Sequence, residues 1–221
     1  MVGDPWPAEA VVRAATGPDL ERGTAQRVAE ALCAELPVDA VTLALWTDTP
    51  ERRMLFATSP AAQRLEELQF EVGEGPCVTA ATTGRPLMVE DLQGTVTQWP
   101  LFGPLAREQL PTVGAIYAFP LVEGDAHLGS ADMLRFEAGP LGAEAEAAAI
   151  LAVRAAALIL LTAKVSPALD IHWRRTHVAT GVMAERLGIS PAEALARLRS
   201  MALGTGRPLP DLTEDVLARS R

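Results

Sequence analysis

The chain has little of the chemistry on which most enzymes and metal proteins depend. Its 221 residues include two cysteines, three histidines and a single lysine. The cysteines, Cys33 and Cys77, stand 44 positions apart, so they predict neither a disulfide framework nor a metal-ligand pair. A catalytic cysteine would need a histidine and an orienting carboxylate, and two of the three histidines fall near the C-terminus. We therefore expect no enzyme activity, no metal site and no cofactor.

The chain also lacks a leader of charged, apolar and small residues at its N-terminus. This favours a cytoplasmic protein. At 221 residues the chain predicts two modest domains rather than one large one.

Charge is distributed unevenly. From Thr162 onward nine Lys and Arg residues stand against six Asp and Glu residues, a net of +3; the preceding residues carry ten against twenty-two, a net of −12, and the two sum to −9. A basic segment attached to an acidic body suggests that the segment meets a polyanion and the body does not. All but one of the nineteen cationic residues are arginines, which can bind phosphate and stack on unpaired bases.

The basic segment predicts three short helices. Gly188 ends the first, Ser190-Pro191-Ala192-Glu193 forms a capping box that starts the second, and Gly204 and Gly206 end it before a third that opens at Pro210. Ala179 and Gly181 offer places where another helix can approach closely. The expected inward residues are Ile171, Val178 and Val182 in the first helix, Ala194, Leu195, Leu198 and Ala202 in the second, and Leu209, Leu212 and Val216 in the third. Helices this short bury too little apolar surface to be stable alone, so we expect them to lean on a partner or on the preceding helix.

Spacing, caps and small-residue positions together resemble the ANTAR module, an RNA-binding three-helix domain of bacterial transcription antiterminators. The resemblance covers about residues 170–219, and the matching segments are Ala179-Thr180-Gly181, Leu187-Gly188-Ile189-Ser190, Glu193-Ala194, Leu198-Arg199 and Gly206-Arg207-Pro208-Leu209. Many ANTAR sequences carry Lys at the position of Thr180 and a small Ala at that of Thr213. The resemblance implies binding to paired stem-loops in nascent RNA, which would prevent a competing terminator from forming.

Arginines are the natural phosphate contacts in such a module. Arg199 is the first candidate because it projects away from the Glu193–Arg197 pair, which is explained equally well as an ion pair on the helix surface. The full set of predicted RNA-binding residues is Arg199, Arg207, Arg197, Arg175, Arg174, Thr180 and His177.

The first three-quarters of the chain predicts an antiparallel sheet covered by helices on one side. Strands are expected at residues 38–46, 52–58, 86–90, 113–119 and 128–136, and helices at 60–68 and 101–110. A tight turn leads into a further short helix that begins at Pro76, and Gly124-Asp125 forms a hairpin turn.

A second set of motifs resembles the GAF sensory domain of actinobacterial GAF–ANTAR regulators, over about residues 19–161. It comprises Gly73-Glu74-Gly75-Pro76-Cys77, Gly84-Arg85-Pro86-Leu87-Met88-Val89, Asp91-Leu92, Trp99-Pro100, Gly114-Ala115 and Pro120-Leu121. The resemblance implies an α+β sensor that can hold a small-molecule ligand. The candidate pocket residues are Met88, Trp99, Phe102, Tyr117 and Met133, although a filled core is the commoner outcome for such residues.

Residues 143–165 predict a long helix, apolar almost all round, between the sensor and the RNA-binding domain at residues 167–221. One side is expected to pack on the sheet and the other on a second copy in a homodimer; the alternative is one buried helix in a monomeric core. Arg154 interrupts the apolar run, so a membrane span is not expected. Ser166-Pro167 predicts a kink.

Cys77 allows two interpretations: a thiolate stabilised at a helix start, or a small buried residue. His127 is expected to be exposed in the hairpin rather than to bind haem. The predicted function is therefore a non-enzymatic transcription antitermination regulator with a GAF sensor, a dimerising helix and an all-α ANTAR domain. The alternative is a ligand- or redox-sensing protein whose helical tail dimerises or binds a protein partner without RNA.

Overall fold

The computed structural model describes residues 7–17, 22–46, 52–94, 98–163 and 173–219. The helices are α1 (Pro7–Thr16), α2 (Thr24–Glu35), α3 (Pro60–Val72), α4 (Pro76–Thr83), α5 (Phe102–Gln109), α6 (Ala143–Thr162), α7 (Arg174–Leu187), α8 (Pro191–Thr205) and α9 (Leu209–Ala218). The strands are β1 (Ala40–Trp46), β2 (Arg52–Ala57), β3 (Leu87–Val89), β4 (Ala115–Glu123) and β5 (Ala126–Arg135).

The five strands form one antiparallel sheet in the order β2-β1-β5-β4-β3. The β4–β5 hairpin turns at Gly124-Asp125, as the sequence predicts. Strand β5 also pairs with β1, so it is central and joins the early strands to the later ones. Every predicted strand is present, within a few residues of its expected limits.

Helices cover both faces of the sheet, not one as the sequence predicted. Helices α2 and α6 pack on one face, with α1 laid against both, while α3 and α4 pack on the other and α5 rests against α3. The reason lies in β4, where every residue from Ala115 to Leu121 is buried. Successive residues of a strand point to opposite faces, so a strand buried at every position needs cover on both.

Helix α6 is buried on one side only. Ala152, Ala156 and Leu160 pack inward, whereas Leu158 is 50% exposed and Leu151 is 46% exposed. The helix is long and apolar enough to cross a membrane by length and composition, but its inner side packs on β4 and α1 as a core helix does. The predicted kink at Ser166-Pro167 lies outside the described residues.

Helices α7, α8 and α9 pack on one another as a C-terminal three-helix unit. The capping box of Ser190 and Glu193 is formed, and Gly188 and Gly206 adopt left-handed backbone (φ 62° and 65°) after α7 and α8, as predicted. The predicted buried residues of α8 are all buried, and so are Leu209 and Leu212 of α9.

The predicted inward face of α7 was wrong. Val178 is 52% exposed and Gly181 lies in open space, whereas Thr176, Ala179 and Thr180 are buried. Both threonines satisfy their hydroxyls inside the unit: Thr180 Oγ1 donates to Thr176 O at 2.7 Å, and Thr176 Oγ1 lies 3.3 Å from Thr213 Oγ1. Hydrogen-bonded threonines can therefore take the inward stripe that apolar periodicity assigned to valines. Ile171 lies outside the described residues.

Candidate functional site

A cluster of polar and ionisable side chains is buried between the sheet and helices α3 and α4. It consists of Arg52 from β2, Glu66 and Gln69 from α3, Cys77 from α4 and Asp132 from β5. Arg52 is 5% exposed and the other four are completely buried. We call these five residues the buried cluster. Side chains of this kind are almost never buried without partners, so the cluster marks a built site.

The register of the sheet places Asp132 in the buried cluster. Asp132 lies opposite Thr42 of β1, and Ser130, two residues away, points to the same face. Thr42 and Ser130 are both 1% exposed. The sheet therefore presents three polar side chains to α3 and α4.

The Gly-rich turn delivers Cys77. Gly75 has φ 139°, and a Cβ there would lie 2.6 Å from Gln69 Oε1, so only glycine fits. The same oxygen accepts a hydrogen bond from the Cys77 backbone N–H at 2.8 Å. Pro76 occupies the first turn of α4, where its missing N–H costs nothing. The turn thus clamps α4 to α3 with Cys77 facing the cluster.

Each buried carboxylate has one oxygen held by a donor. Arg52 Nη2 donates to Glu66 Oε2 at 2.5 Å and also contacts Cys77 Sγ. Gln69 Nε2 donates to Asp132 Oδ2 at 2.7 Å. Within the described residues, Glu66 Oε1 and Asp132 Oδ1 accept no hydrogen bond from nitrogen or hydroxyl groups. The cluster therefore has unused acceptor capacity in a dry environment.

Burial governs the ionisation of the cluster. Desolvation raises the pKa of Asp132 to about 7, with the neighbouring Glu66 acting in the same direction. Burial likewise raises the pKa of Glu66 and raises that of the Cys77 thiol well above its ordinary value, against the opposing effect of Arg52. Burial opposes the charge of Arg52, yet its acidic neighbours outweigh this and its pKa rises. One permanent cation thus faces two carboxyl groups and a thiol.

Comparison with known protein families identifies the domain that contains the cluster. Residues 22–161 match the sequence model of the GAF domain. The chain belongs to the GAF family. GAF domains are signal-sensing domains, and in this one the buried cluster lies between the sheet and helices α3 and α4.

Solved structures of GAF domains share the fold. The GAF domain of a phosphoenolpyruvate-protein phosphotransferase from Coxiella burnetii matches with a TM-score of 0.56 and 21% identity, over 74% of this chain and 95% of that one. The GAF domain of the Acinetobacter phosphoenolpyruvate-protein phosphotransferase matches with a TM-score of 0.50 and 9% identity, over 70% and 90%. No curated protein matches the sequence. At these identities the likeness shows the fold alone.

The five candidate pocket residues of the GAF domain do not line one pocket. Tyr117 pairs with Met88 on one side and Met133 on the other, so the three share the face covered by α2 and α6. Trp99 and Phe102 pack in the separate core on the opposite face, with their rings edge to face at 5.8 Å. The prediction grouped them by apolar character, but the three strand residues point to the face covered by α2 and α6, whereas Trp99, just before α5, and Phe102, at its start, pack on the other face.

The C-terminal unit docks on the outer side of α3, directly beside the buried cluster. Phe70 of α3 is 1% exposed and stacks on Trp173, with ring centroids 4.2 Å apart. His177 lies edge to face with Phe70 at 5.8 Å, and its Nε2 lies 3.1 Å from Arg52 O, a hydrogen bond in the Nε2–H tautomer. Leu195, Leu198, Leu209 and Leu212 complete this small core.

Arg199 belongs to the docking interface. Its Nε donates to Phe70 O at 2.8 Å and its guanidinium lies 5.1 Å from the centroid of the Phe70 ring. Burial, together with the nearby charge of Arg52, lowers the pKa of Arg199 to about 10. A Cβ on Gly73, the left-handed C-cap of α3, would come within 2.9 Å of Arg199 Nη1. The first-ranked RNA contact is thus held against the sensor.

The other predicted RNA-binding residues are dispersed. Arg207 pairs with Asp215 at 2.8 Å, and Arg175 pairs with Glu214. Arg174 and Arg197 are exposed on α7 and α8. Thr180 is buried and cannot reach a ligand in this arrangement, and His177 takes part in the docking interface.

The buried cluster was missed from sequence, apart from Cys77 as an isolated residue. A usable signal was present in β5, where Asp132 lies two positions before the buried Leu134 and therefore shares its face. Nothing local marks Arg52 or Glu66, because charged residues at a strand start and on a helix are ordinarily exposed.

Proposed function

We propose that the chain is a non-enzymatic regulator in which the GAF domain controls a C-terminal unit that binds hairpins in nascent RNA and so prevents transcription termination. The resemblance of residues 170–219 to the ANTAR module supports the RNA-binding role, and so does the folding of residues 174–218 as three helices. Arg174, Arg197 and Arg207 lie exposed on this unit.

The docking of Arg199 on Phe70 carries the regulatory part of the proposal. A guanidinium that donates through Nε to a backbone carbonyl and lies over an aromatic ring is largely withdrawn from phosphate. In the docked state the sensor therefore withholds the best-placed arginine. Release of α7–α9 from α3 would return Arg199 to solvent, and a signal acting on α3 can supply that release.

The test is RNA binding by the full chain and by two variants. Phe70→Ala removes the ring on which Trp173 stacks, so it should favour the undocked unit and raise affinity for tandem-hairpin RNA several-fold. Adding Arg199→Ala to that variant should lower affinity about tenfold and flatten the dependence of log K on log salt by about one phosphate contact.

Matched controls distinguish a specific role of Arg199 in RNA binding from non-specific attraction between arginines and RNA. Arg22 is an exposed arginine paired with Glu30 in the GAF domain, so Arg22→Ala should leave RNA affinity unchanged. Duplex DNA of equal length tests for non-specific attraction. Failure of both the wild type and Phe70→Ala to bind hairpin RNA in a salt-dependent way would refute the RNA-binding role and favour a tail that binds protein.

We also propose a homodimer through α6. Leu151 and Leu158, seven residues apart on one side of the helix, and Leu161 are 46–54% exposed, which leaves an apolar stripe uncovered. A dimer would carry two RNA-binding units and suit paired hairpins. Leu158→Asp should convert a dimer to a monomer in sedimentation measurements, whereas a wild-type protein that is monomeric at high concentration would exclude this part.

A further inference from the structure

We propose that Glu66, Cys77 and Asp132 form a binding site for a divalent transition-metal ion of the Zn²⁺ class inside the sensor domain. One ligand atom from each of the three lies within 4.8 Å of the others, and all three side chains are fully buried. The donors come from α3, α4 and β5, so a bound ion would tie both helices to the sheet. The sequence alone predicted no metal site, because the ligands are 11 to 66 positions apart.

The hydrogen bonds of the cluster leave one oxygen of each carboxylate available, whereas Cys77 Sγ is contacted by Arg52 Nη2, which a bound ion would displace from the sulfur. Arg52 holds Glu66 Oε2 and Gln69 holds Asp132 Oδ2, while Glu66 Oε1 and Asp132 Oδ1 accept no hydrogen bond from nitrogen or hydroxyl groups of the described residues. Metal-binding carboxylates are typically oriented in this way, with one oxygen on the metal and the other on an outer donor. Arg52 and Gln69 are thus positioning residues.

Charge balance favours a divalent ion. Without a metal, Arg52 offers one positive charge to two carboxylates and a thiol in a buried space. A divalent ion that displaces the thiol proton would give three positive charges against three negative ones, which removes the cost of an uncompensated buried charge. One thiolate with two carboxylates is a mixed donor set that suits a borderline ion such as Zn²⁺ or Co²⁺ rather than Mg²⁺ or Ca²⁺.

The geometry requires only a small adjustment. Tetrahedral Zn²⁺, with Zn–S about 2.3 Å and Zn–O about 2.1 Å, places its ligand atoms roughly 3.4–3.7 Å apart. Atoms up to 4.8 Å apart therefore need to approach one another by no more than about 1.4 Å. The hydroxyls of Thr42 and Ser130, buried on the same face and without partners among the described residues, can hydrogen-bond a water in the fourth position.

The experiment is titration of the metal-free full chain with Co²⁺ under reducing conditions. We expect one equivalent to bind with the near-ultraviolet charge-transfer band of a cobalt–thiolate bond, and Zn²⁺ to displace it. Cys77→Ser should abolish the band. Cys33→Ser is the matched control, since Cys33 lies apart from the cluster, and this variant should keep the band in full.

Further variants separate ligation from folding. Asp132→Asn and Glu66→Gln preserve shape and should each weaken Co²⁺ binding at least tenfold while native near-ultraviolet circular dichroism is retained. Absence of the band in the folded wild type, its survival in Cys77→Ser, or unchanged affinity in both carboxylate variants would overturn the proposal. The proposed metal site does not depend on RNA binding. The Co²⁺ titration and the hairpin-RNA titration therefore test the two proposals independently.

Discussion

The two faces of the sheet are formed by the same strands but carry different kinds of side chain. Toward α2 and α6, strands β1, β4 and β5 present mainly apolar side chains, among them Leu43, Phe119 and Met133. Toward α3 and α4, the alternate positions of β1 and β5 present Thr42, Ser130 and Asp132. The first face stabilises the fold by burial of apolar surface, whereas the second keeps ionisable groups dry at a cost in stability. The buried ionisable groups that the structure describes in this domain are thus concentrated on one side of the sheet.

Helix α3 extends this contrast to the C-terminal unit. Its inner side carries Glu66 and Gln69 of the buried cluster, and its outer side carries Phe70, on which Trp173 stacks. Consecutive residues of α3, Gln69 and Phe70, therefore contact the candidate site and the C-terminal unit. A change in the cluster that moves α3 would act on both.

The largest effect should come from the apolar face. Phe119→Ala deletes a ring that is 1% exposed, and such a cavity costs about 3–5 kcal/mol of unfolding free energy. Urea denaturation followed by far-ultraviolet circular dichroism measures it. A loss below about 1 kcal/mol would show that this face is not the main source of stability.

The next largest effect on stability should come from removing the titratable carboxyl group of Asp132 on the polar face. Asp132 has a folded-state pKa of about 7, above its ordinary value of 3.8, so the folded protein holds this proton more tightly and loses stability as pH rises from about 4 to 7. Asp132→Asn removes this loss. With chelator present, the free energy of unfolding of the variant should increase relative to that of the wild type as pH rises, by roughly 4 kcal/mol between pH 4 and pH 8.

Some pH dependence should remain in that variant, because the pKa of Glu66 is also raised. Urea unfolding at several pH values between 4 and 8 gives the comparison. A constant difference between the two proteins over this range would contradict the buried-charge interpretation of the polar face.

A smaller effect should follow from loss of the turn that orders the cluster. Gly75→Ala places a Cβ against Gln69 Oε1 and strains a backbone with φ 139°, so we expect a loss of about 1–3 kcal/mol. Gly124→Ala is the matched control: its φ of 56° is also left-handed, but the space around it is open. Equal losses in the two variants would show that only backbone strain, and not the contact with Gln69, requires glycine at position 75.

The smallest perturbation compares the two thiols without changing a residue. Cys33 is partly exposed on α2, whereas Cys77 is fully buried. A thiol-reactive reagent should modify Cys33 in the native protein and Cys77 only on unfolding. Mass spectrometry after proteolysis identifies the modified residue. Rapid native labelling of Cys77 would show that the cluster opens to solvent.

Local features of the fold could be predicted from the sequence because they depend on neighbouring residues. The capping box at Ser190, the glycine stop at Gly188 and the turn into Pro76 depend on residues within one helical turn. The cover on both faces of the sheet could have been inferred from the unbroken apolar run in β4. The inward position of Thr176 could not, because its hydroxyl meets Thr213 only after α9 packs on α7.

The candidate site could not be predicted from local sequence patterns, because its residues meet only through tertiary contacts. Arg52 meets Glu66 and Cys77 only because β2, α3 and α4 converge, and Asp132 joins them through the pairing of β5 with β1. Arg199 was assigned to phosphate from its place on α8, yet the structure sets it on Phe70, which is 129 residues earlier. Contacts between residues this far apart in the sequence depend on the register of the strands and on the docking of the C-terminal unit.

The sequence by itself determined the GAF sensor, its five strands and the three helices at the C-terminal end, since periodicity, turn residues and caps act over a few neighbouring positions. Tertiary structure alone decided which charged residues are buried together and which arginine faces the sensor. Both outcomes depend on removing water from groups distant in the chain, and that desolvation takes place only when the sheet and its covering helices are assembled.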